Sequence, residues 1–323
     1  MDIKEIIKPI KSELEIFEDH FRQAMRSKIP FVDIIARYII KQKGKRIRPA
    51  LVLLSAKACG EVNESTYRGA SLVEILHTAT LIHDDVVDEA NTRRGFPSIN
   101  AVWKNKIAVL MGDYLLAKGL LLSLDNNDYK FLKTTSQSVR RMSEAEILQI
   151  KKSRDLDIDE ETYMNIISGK TASLFATCCE IGASSVTDNQ EIINQMNKFG
   201  ETLGIVFQMR DDLLDFTGRK SITGKPTGLD LKEKKLTLPL IHALTIAPRG
   251  EKKQVIQIVK KGSTKKDLLK IIDFANKYSG IEYTIKRAGE YSERAEKILE
   301  LLPPSPSKES LLHFIEFVLQ REK

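Results

Sequence analysis

Two short aspartate clusters, far apart in the chain, are the part of this sequence best suited to chemistry. They contain Asp84, Asp85 and Asp88 in the segment HDDVVDEANTRR, and Asp211, Asp212 and Asp215 in QMRDDLLDFTG. Carboxylates one helical turn apart repel each other, so each cluster needs a compensating cation. Oxygen-only ligands favour Mg²⁺, with Mn²⁺ as an alternative, over zinc. We therefore predict a divalent-metal site built from these six aspartates.

Each cluster ends a polar stripe on an otherwise apolar helical segment. Helical steps backward from Asp88 and Asp84 reach Thr80 and His77. In the second segment the stripe consists of Gly204, Gln208, Asp211 and Asp215. A single Asp-Asp-x-x-Asp cluster is as often a solvated helix end as a metal site. Two copies, each extended by polar residues on one face, favour a shared hydrophilic ligand.

Basic residues occur where they could hold a phosphate group next to such a metal. Lys170, followed by Thr171, interrupts a core-like stripe, so it either extends to solvent or binds an anion. The segment GKRIRPA at 44–50 precedes an apolar helix, where backbone amides and arginine side chains suit phosphate, although it could also be a basic surface run. Arg93 and Arg94 follow the first cluster and could contact phosphate, and the alternative that they cap a helix C-terminus is compatible with that role.

Composition restricts the class of protein. Of the 323 residues, 42% are apolar and the net charge is +7. The bases are mixed with acids and lack an aromatic stacking platform, which argues against a nucleic-acid partner. The most apolar windows, such as residues 115–124, are interrupted by Lys118, so we expect no transmembrane segment. The N-terminus lacks the layout of a signal peptide and the three cysteines indicate no disulfide framework, so we predict a cytoplasmic protein.

The elements that must position these residues are helices. Apolar residues recur at spacings of three and four almost throughout, and alternating strand patterns are nearly absent, so we predict an all-α fold with a single domain over 1–323. Asp159 is a candidate N-cap, and Pro306 is expected in the first turn of the last helix. The predicted helices cover about 3–19, 31–42, 46–59, 64–90, 98–125, 129–151, 159–182, 189–217, 236–246, 251–261, 264–301 and 306–321.

These motifs together resemble the all-trans polyprenyl diphosphate synthases, most closely the octaprenyl-type long-chain members. The matching segments are GKRIRPA (44–50), LHTATLIHDDVVDEANTRRG (76–95), NKIAVLMGDYLLA (105–117), EAEILQ (144–149), SGKTASLF (168–175), FQMRDDLLDFTG (207–218) and GKPTGLDLKEKKLTLPL (224–240). The resemblance implies a prenyltransferase with a helical bundle around a central cavity, the isoprenoid synthase fold. It also implies a homodimer, with the two acidic motifs on opposite walls of the cavity.

The resemblance carries specific roles onto this sequence. The catalytic residues would be Lys170, Asp84 and Asp211, and Asp84, Asp88 and Asp211 would ligate Mg²⁺ with Asp85, Asp212 and Asp215 in support. Isopentenyl diphosphate would be held by Gly44, Lys45, Arg48, His77 and Arg94. The allylic diphosphate would be held by Arg93, Lys170, Thr171, Gln208, Lys225 and Lys235. Ala145, Leu229 and Lys234 replace common family residues, and the last two put in doubt how the 217–235 loop closes over product.

Product length should depend on the residues beneath the first acidic cluster, where the growing tail would run. Ala79 and Thr80 are small, which predicts a product longer than farnesyl, and the tunnel floor is either Leu76 or a residue near Phe131. The product could then pass to membrane enzymes. Two other functions share the fold: a silent regulatory subunit, which should have lost its aspartates or bases, and a terpene cyclase or squalene-type synthase, which should lack the basic isopentenyl site.

Overall fold

The computed structural model describes residues 2–42, 44–217, 235–261 and 264–320, and this part of the chain is almost entirely helical, as predicted. The helices are α1 (Ile3–Ile6), α2 (Lys11–Met25), α3 (Pro30–Lys41), α4 (Ile47–Cys59), α5 (Glu64–Val87), α6 (Ile99–Asp125), α7 (Tyr129–Asp155), α8 (Glu160–Ile167), α9 (Ser173–Ser184), α10 (Gln190–Thr217), α11 (Leu238–Ile246), α12 (Arg249–Lys261), α13 (Lys265–Lys277), α14 (Gly280–Leu299) and α15 (Pro306–Gln320). A 3₁₀ turn covers Lys8–Ile10, a π-helical segment covers Ser168–Ala172, and β1 (Thr92–Arg93) pairs with β2 (Phe96–Pro97).

Helices α4, α5, α9 and α10 form the centre of the bundle. Helices α4 and α9 are apolar on nearly all sides and are buried along most of their length. They approach closely because a Cβ on Gly182 of α9 would lie 2.3 Å from the Val52 carbonyl oxygen of α4. Helix α10 contributes to both apolar clusters of the core, through Phe199 in one and Met209 in the other. Any displacement of α10 would therefore disturb both clusters.

Helix α5 ends at the first acidic cluster. It starts with a capping box in which the side chains of Asn63 and Thr66 each accept a hydrogen bond from the other's backbone N–H. After this helix, β1 and β2 are joined by a turn of two residues, Arg94 and Gly95. Both residues have positive φ, which is typical of a tight hairpin turn. The hairpin therefore projects the side chain of Arg93 back toward α5, where it bonds to Asp85.

Three helix predictions differ from the structure. The helix predicted over 3–19 is interrupted by the 3₁₀ turn that contains Pro9, whose ring removes a backbone donor. The helix predicted over 264–301 is divided at Ser279, which has φ +51°. The helix predicted over 159–182 contains the π-helical segment. The starts at Asp159 and Pro306 are confirmed, with Asp159 accepting a hydrogen bond from the Thr162 backbone N–H.

Helix α6 bears on the expectation that the chain has no transmembrane segment. Within the described ranges it is the one helix long and apolar enough to cross a bilayer by length and composition, although 33% of its most apolar stretch is buried. Lys118 interrupts the most apolar part of this helix in the sequence. In the structure its ammonium group donates hydrogen bonds to the carbonyl oxygen of Arg26 and to the hydroxyl of Tyr114. Helix α6 packs along α5 and leaves most of that apolar stretch exposed on its other faces.

Candidate active site

The two acidic clusters meet at one cavity of about 340 Å³ between the C-terminal ends of α5 and α10. Asp84 and Asp88 line it from α5, and Asp211 and Asp212 line it from α10. Both clusters fall in the last two turns of their helices, where the negative end of the helix dipole adds to the repulsion between carboxylates. The cavity therefore concentrates negative charge that a bound cation would offset.

The cost of concentrating negative charge in this cavity is clearest at Asp84. The pKa of Asp84 is raised from 3.8 to about 6, first by burial and then by the carboxylates of Glu146 and Asp88, while the Lys170 ammonium and the Arg93 guanidinium oppose the rise. The charged form of Asp84 is thus disfavoured in the protein alone. A divalent cation beside Asp84 would reverse that preference.

The second aspartate of each pair is held by other side chains. Asp85 is 3% exposed and accepts hydrogen bonds from Arg93 at 2.8 and 2.5 Å. Asp212 is also 3% exposed and accepts from the Tyr163 hydroxyl at 2.6 Å and from the Gln208 amide at 2.7 Å. Adjacent residues on a helix point about 100° apart, so Asp84 lines the cavity and Asp85 does not, whereas Asp211 and Asp212 both line it.

The π-helical segment between α8 and α9 forms the third wall. It presents Lys170 and Thr171 to the cavity, and Thr171 donates a 2.7 Å hydrogen bond to the amide oxygen of Gln208. Lys170 contacts Glu146 and Gln149 of α7. A π-helical turn inside a helical run is rare and often marks a functional site. Here it turns two consecutive polar side chains out of an otherwise buried strip.

A basic group adjoins the acidic cavity on the far side of α5. Arg48 and His77 are 2.9 Å apart, and the Arg48 guanidinium lies over the Phe175 ring at 5.6 Å. Among the described atoms, the buried Nε of Arg48 has no hydrogen-bond partner. Burial lowers the pKa of Arg48, and burial followed by the charges of Arg48, Arg94 and Arg93 lowers the pKa of His77 well below its ordinary value. An anion bound here would relieve both costs.

Gly44 makes room for Arg94. A Cβ at Gly44 would lie 2.5 Å from an Arg94 guanidinium nitrogen, and Arg94 donates to the Gln42 carbonyl oxygen at 3.1 Å. The glycine therefore allows the hairpin to bring its second arginine against the start of α4. Gln42 is the C-cap of α3, so Arg94 contacts a helix C-terminus, and this contact is compatible with the phosphate-binding role predicted for it.

Not all predicted residues come together. Lys235 lines the acidic cavity, whereas Lys45 is exposed and Asp215, on α10, lines none of the cavities described here. Lys225 lies outside the described residues, as do Leu229 and Lys234. Their assignments remain predictions.

An ion-paired cluster under the basic group was not predicted. Arg46, the N-cap of α4, contacts Glu18 at 2.7 Å and Glu74 at 2.5 Å. Burial opposes the charge of Arg46, but Glu74 and Glu18 outweigh it, so the pKa of Arg46 is raised. Glu74 also attracts Arg48 and Arg94, which makes this nearly buried carboxylate the counter-charge for three arginines.

Replacing Glu74 by glutamine should destabilise the fold. The substitution leaves Arg46 with Glu18 alone and removes the counter-charge from its neighbours, which we expect to cost about 2–3 kcal/mol, somewhat below the usual cost of breaking a buried pair. Urea unfolding followed by circular dichroism measures it. Glu64→Gln, on the same helix with a side chain 72% exposed, is the matched control and should change little. Equal midpoints for both variants would contradict the assignment.

An apolar cavity of about 470 Å³ opens from the acidic one toward α6 and α7. Ala79 and Thr80 line it, together with Leu116, Met142 and Leu174. The two cavities share Asp84, Glu146, Lys170 and Thr171, so the polar and apolar chambers are continuous. In contrast, Leu76 is 2% exposed, belongs to the core and does not line the apolar cavity, so the geometry gives no support to Leu76 as its floor.

The residues present fit a metal shared with a ligand better than a metal held by protein alone. Within the described part of the chain, no three His, Cys, Asp or Glu side chains converge as a closed metal cluster. Carboxylates that line one cavity from two helices suit Mg²⁺, which takes one or two carboxylates, keeps several waters and is completed by substrate phosphates.

Comparison with known proteins identifies the fold and the family. The family model for polyprenyl synthetase matches residues 30–273. The chain belongs to this family. As a polyprenyl synthetase it is a prenyltransferase, and the model's match ends within α13, after both acidic motifs and the π-helical segment.

Individual relatives cover nearly the whole of this polyprenyl synthetase. It is 36% identical to the all-trans-nonaprenyl-diphosphate synthase (geranyl-diphosphate specific) of Rhodobacter capsulatus over 98% of both chains, and 33% identical to the octaprenyl diphosphate synthase of Escherichia coli over 93% of both. A crystal structure of polyprenyl synthase from Caulobacter crescentus, complexed with calcium and isoprenyl diphosphate, superposes with a TM-score of 0.92 at 29% identity, covering 100% of this chain and 98% of that one.

Proposed function

We propose that this polyprenyl synthetase condenses isopentenyl diphosphate head to tail with an allylic diphosphate, using Mg²⁺, and releases a long-chain, octaprenyl-like product. The proposal rests on one observation: an acidic cavity, a basic group and an apolar cavity adjoin one another and form one continuous site. A substrate with a diphosphate head and a hydrocarbon tail matches that order. Residues 1–323 would form one domain, because α10 joins both core clusters.

Asp84, Asp88 and Asp211 would hold the magnesium ions, with Mn²⁺ as a possible substitute. When bound, the metal neutralises charge that develops on the departing diphosphate. Asp212, Asp85 and Asp215 would act in support. Asp85 and Asp212 accept hydrogen bonds that fix their orientation, and Asp84 and Asp211 line the acidic cavity.

The two diphosphates would bind on different sides of Asp84. The allylic diphosphate would contact Lys170, Thr171, Gln208, Arg93, Lys225 and Lys235, most of which line the acidic cavity. Isopentenyl diphosphate would lie against Arg48, His77, Arg94, Gly44 and Lys45. His77 is held neutral by its low pKa, so it can accept the hydrogen bond that orients Arg48.

The chemistry follows from this division. Lys170 stabilises the negative charge as the allylic carbon–oxygen bond breaks, and the apolar walls around Ala79 and Leu174 keep water from the allylic cation. The double bond of isopentenyl diphosphate attacks that cation, forming a carbon–carbon bond. A proton is then lost, with the released pyrophosphate as the nearest available base, and the new double bond leaves an allylic diphosphate ready for another cycle.

Incubation of purified protein with labelled isopentenyl diphosphate, each allylic primer and Mg²⁺, followed by sizing of the products, tests the proposal. We expect a ladder ending in a long-chain diphosphate, lost with EDTA and restored by Mg²⁺. Consumption of allylic diphosphate without incorporation of isopentenyl diphosphate would indicate a cyclase or squalene-type synthase. No turnover without a second protein would indicate a regulatory subunit.

We also propose that the protein is a cytoplasmic homodimer. Helix α6 exposes an arc of apolar side chains away from α5, formed by Val109, Leu110, Ala117, Leu121 and Leu124. Contiguous exposed apolar surface of this kind is typical of an interface. Asp113 lies within the arc, which favours a second protein surface over lipid because a charge there can be paired or hydrated.

Replacing Leu121 by lysine should convert the dimer to a monomer. The side chain is 52% exposed in the single chain, so the change costs the isolated fold little but buries an unpaired charge in the dimer. Sedimentation velocity measures the change. Leu269→Lys is the matched control, since Leu269 is 58% exposed on α13, away from the arc. A Leu121→Lys protein that still sediments as a dimer would rule out this face.

A further inference from the structure

Glu146 and Gln149 of α7 both contact the ammonium group of Lys170, which the proposed mechanism assigns to the allylic diphosphate. The Glu146 carboxylate lies 2.5 Å from Lys170 Nζ, and Gln149 Oε1 accepts a hydrogen bond from the same atom at 2.7 Å. Both residues line the acidic cavity, and they belong to the EAEILQ segment to which the proposed mechanism gives no role. Lys170 is therefore paired before any substrate arrives.

The Lys170–Glu146 ion pair contributes little to the stability of the fold. The side chains of Lys170 and Glu146 are 33% and 29% exposed, and an ion pair with that access to water contributes about 0–1 kcal/mol to stability. The pair also lies at the junction of the polar and apolar cavities, where a diphosphate bound to the aspartate-held metal must fit. There the Glu146 carboxylate would repel the diphosphate and compete with it for Lys170.

We infer that Lys170 changes partner in each catalytic cycle, from Glu146 to the allylic diphosphate on binding and back to Glu146 when pyrophosphate leaves. The inference rests on the proposed function. Glu146 is then a positioning residue that limits how tightly pyrophosphate is retained, while Gln149 holds the ammonium group within reach of both partners. The flexible lysine stem permits the exchange, whereas the π-helical backbone at Lys170 stays in place.

Calorimetric titration of pyrophosphate in Mg²⁺ tests the exchange. Glu146→Gln removes the competing charge but keeps the side-chain size, so we expect about five- to tenfold tighter binding of pyrophosphate, the equivalent of one ordinary hydrogen bond. The inhibition constant of pyrophosphate should fall by the same factor, with the KM for isopentenyl diphosphate unchanged. Glu144→Gln is the matched control: it makes the same charge change on α7, and its side chain is 66% exposed.

Other outcomes distinguish the alternatives. Unchanged or weaker pyrophosphate binding by Glu146→Gln, or a higher Mg²⁺ requirement, would overturn the exchange and make Glu146 a structural or metal-holding residue. In a Lys170→Met background the gain from Glu146→Gln should shrink to the part that direct repulsion supplies. If the full gain persists, Glu146 acts by repulsion alone and the exchange is refuted. Failure of the unaltered protein to bind pyrophosphate in Mg²⁺ would instead count against the proposed function.

Discussion

Replacing Asp84 by asparagine should remove nearly all turnover while leaving the protein at least as stable as before. Asp84 lines both cavities, and Asp211 lines the acidic one with it. Without its charge the metal and the departing diphosphate lose their stabilisation, and we expect kcat to fall about a thousandfold. Steady-state assays with saturating Mg²⁺ measure it.

The stability of the same variant tests the electrostatic argument separately. Because the folded pKa of Asp84 is about 6 and its ordinary value is 3.8, the folded state binds more protons than the unfolded state between those values. The contribution of Asp84 to stability therefore falls as pH rises from about 4 to 6. In EDTA, Asp84→Asn should be more stable than the unaltered protein above pH 6, and the difference should vanish near pH 4.

Asp125→Asn is the control for both measurements. Asp125 is the last residue of α6 and is exposed, so its loss should change neither kcat nor the pH dependence of unfolding. Two results would contradict the assignment of Asp84: activity within tenfold of the unaltered protein, or an Asp84→Asn protein that unfolds more readily above pH 6.

The helices that carry the acidic clusters were predictable because local physics fixes them. Helical spacing places Asp84 and Asp88 on one face, and an apolar stripe on the same segment requires burial. The same reasoning placed Lys170 on an otherwise apolar surface. These conclusions depend on neighbours within one or two turns, which the sequence contains. That the ends of α5 and α10 share one cavity was implied by the family resemblance.

The remaining features depend on contacts between distant segments. The partners of Asp85 and Asp212 come from a hairpin and from α8, and nothing near either aspartate in the chain indicates them. The break between α13 and α14 falls at Ser279. No proline or glycine precedes it to mark the break, because Gly280 is already the first residue of α14. Glu146 belonged to a recognised motif, but its contact with Lys170 follows only from how α7 packs against the π-helical segment.

Packing also explains one departure from the family pattern. Ala145 stands where a glycine is common, and its Cβ is 2.7 Å from the position that a Cβ on Gly169 would occupy. The contact of α7 with the π-helical segment therefore tolerates one methyl group and not two.

Replacing Ala79 by phenylalanine should shorten the product to farnesyl or geranylgeranyl diphosphate. Ala79 is 2% exposed and lines the apolar cavity one turn before Asp84, on the path a growing tail must take. A phenyl ring there would fill space that later isoprene units need, and a packed wall cannot move aside cheaply. The first condensations should keep their rate, because the diphosphate-binding residues are untouched.

Two matched variants make this prediction specific to the tunnel. Ala79→Gly changes the same position without adding volume and should not shorten the product. Leu76→Ala lies one helical turn away but in the core, so it should lower stability by about 2–5 kcal/mol with no change in product length. Thin-layer chromatography of the dephosphorylated products distinguishes these results. A full-length product from Ala79→Phe would show that the tail leaves the acidic cavity by another route.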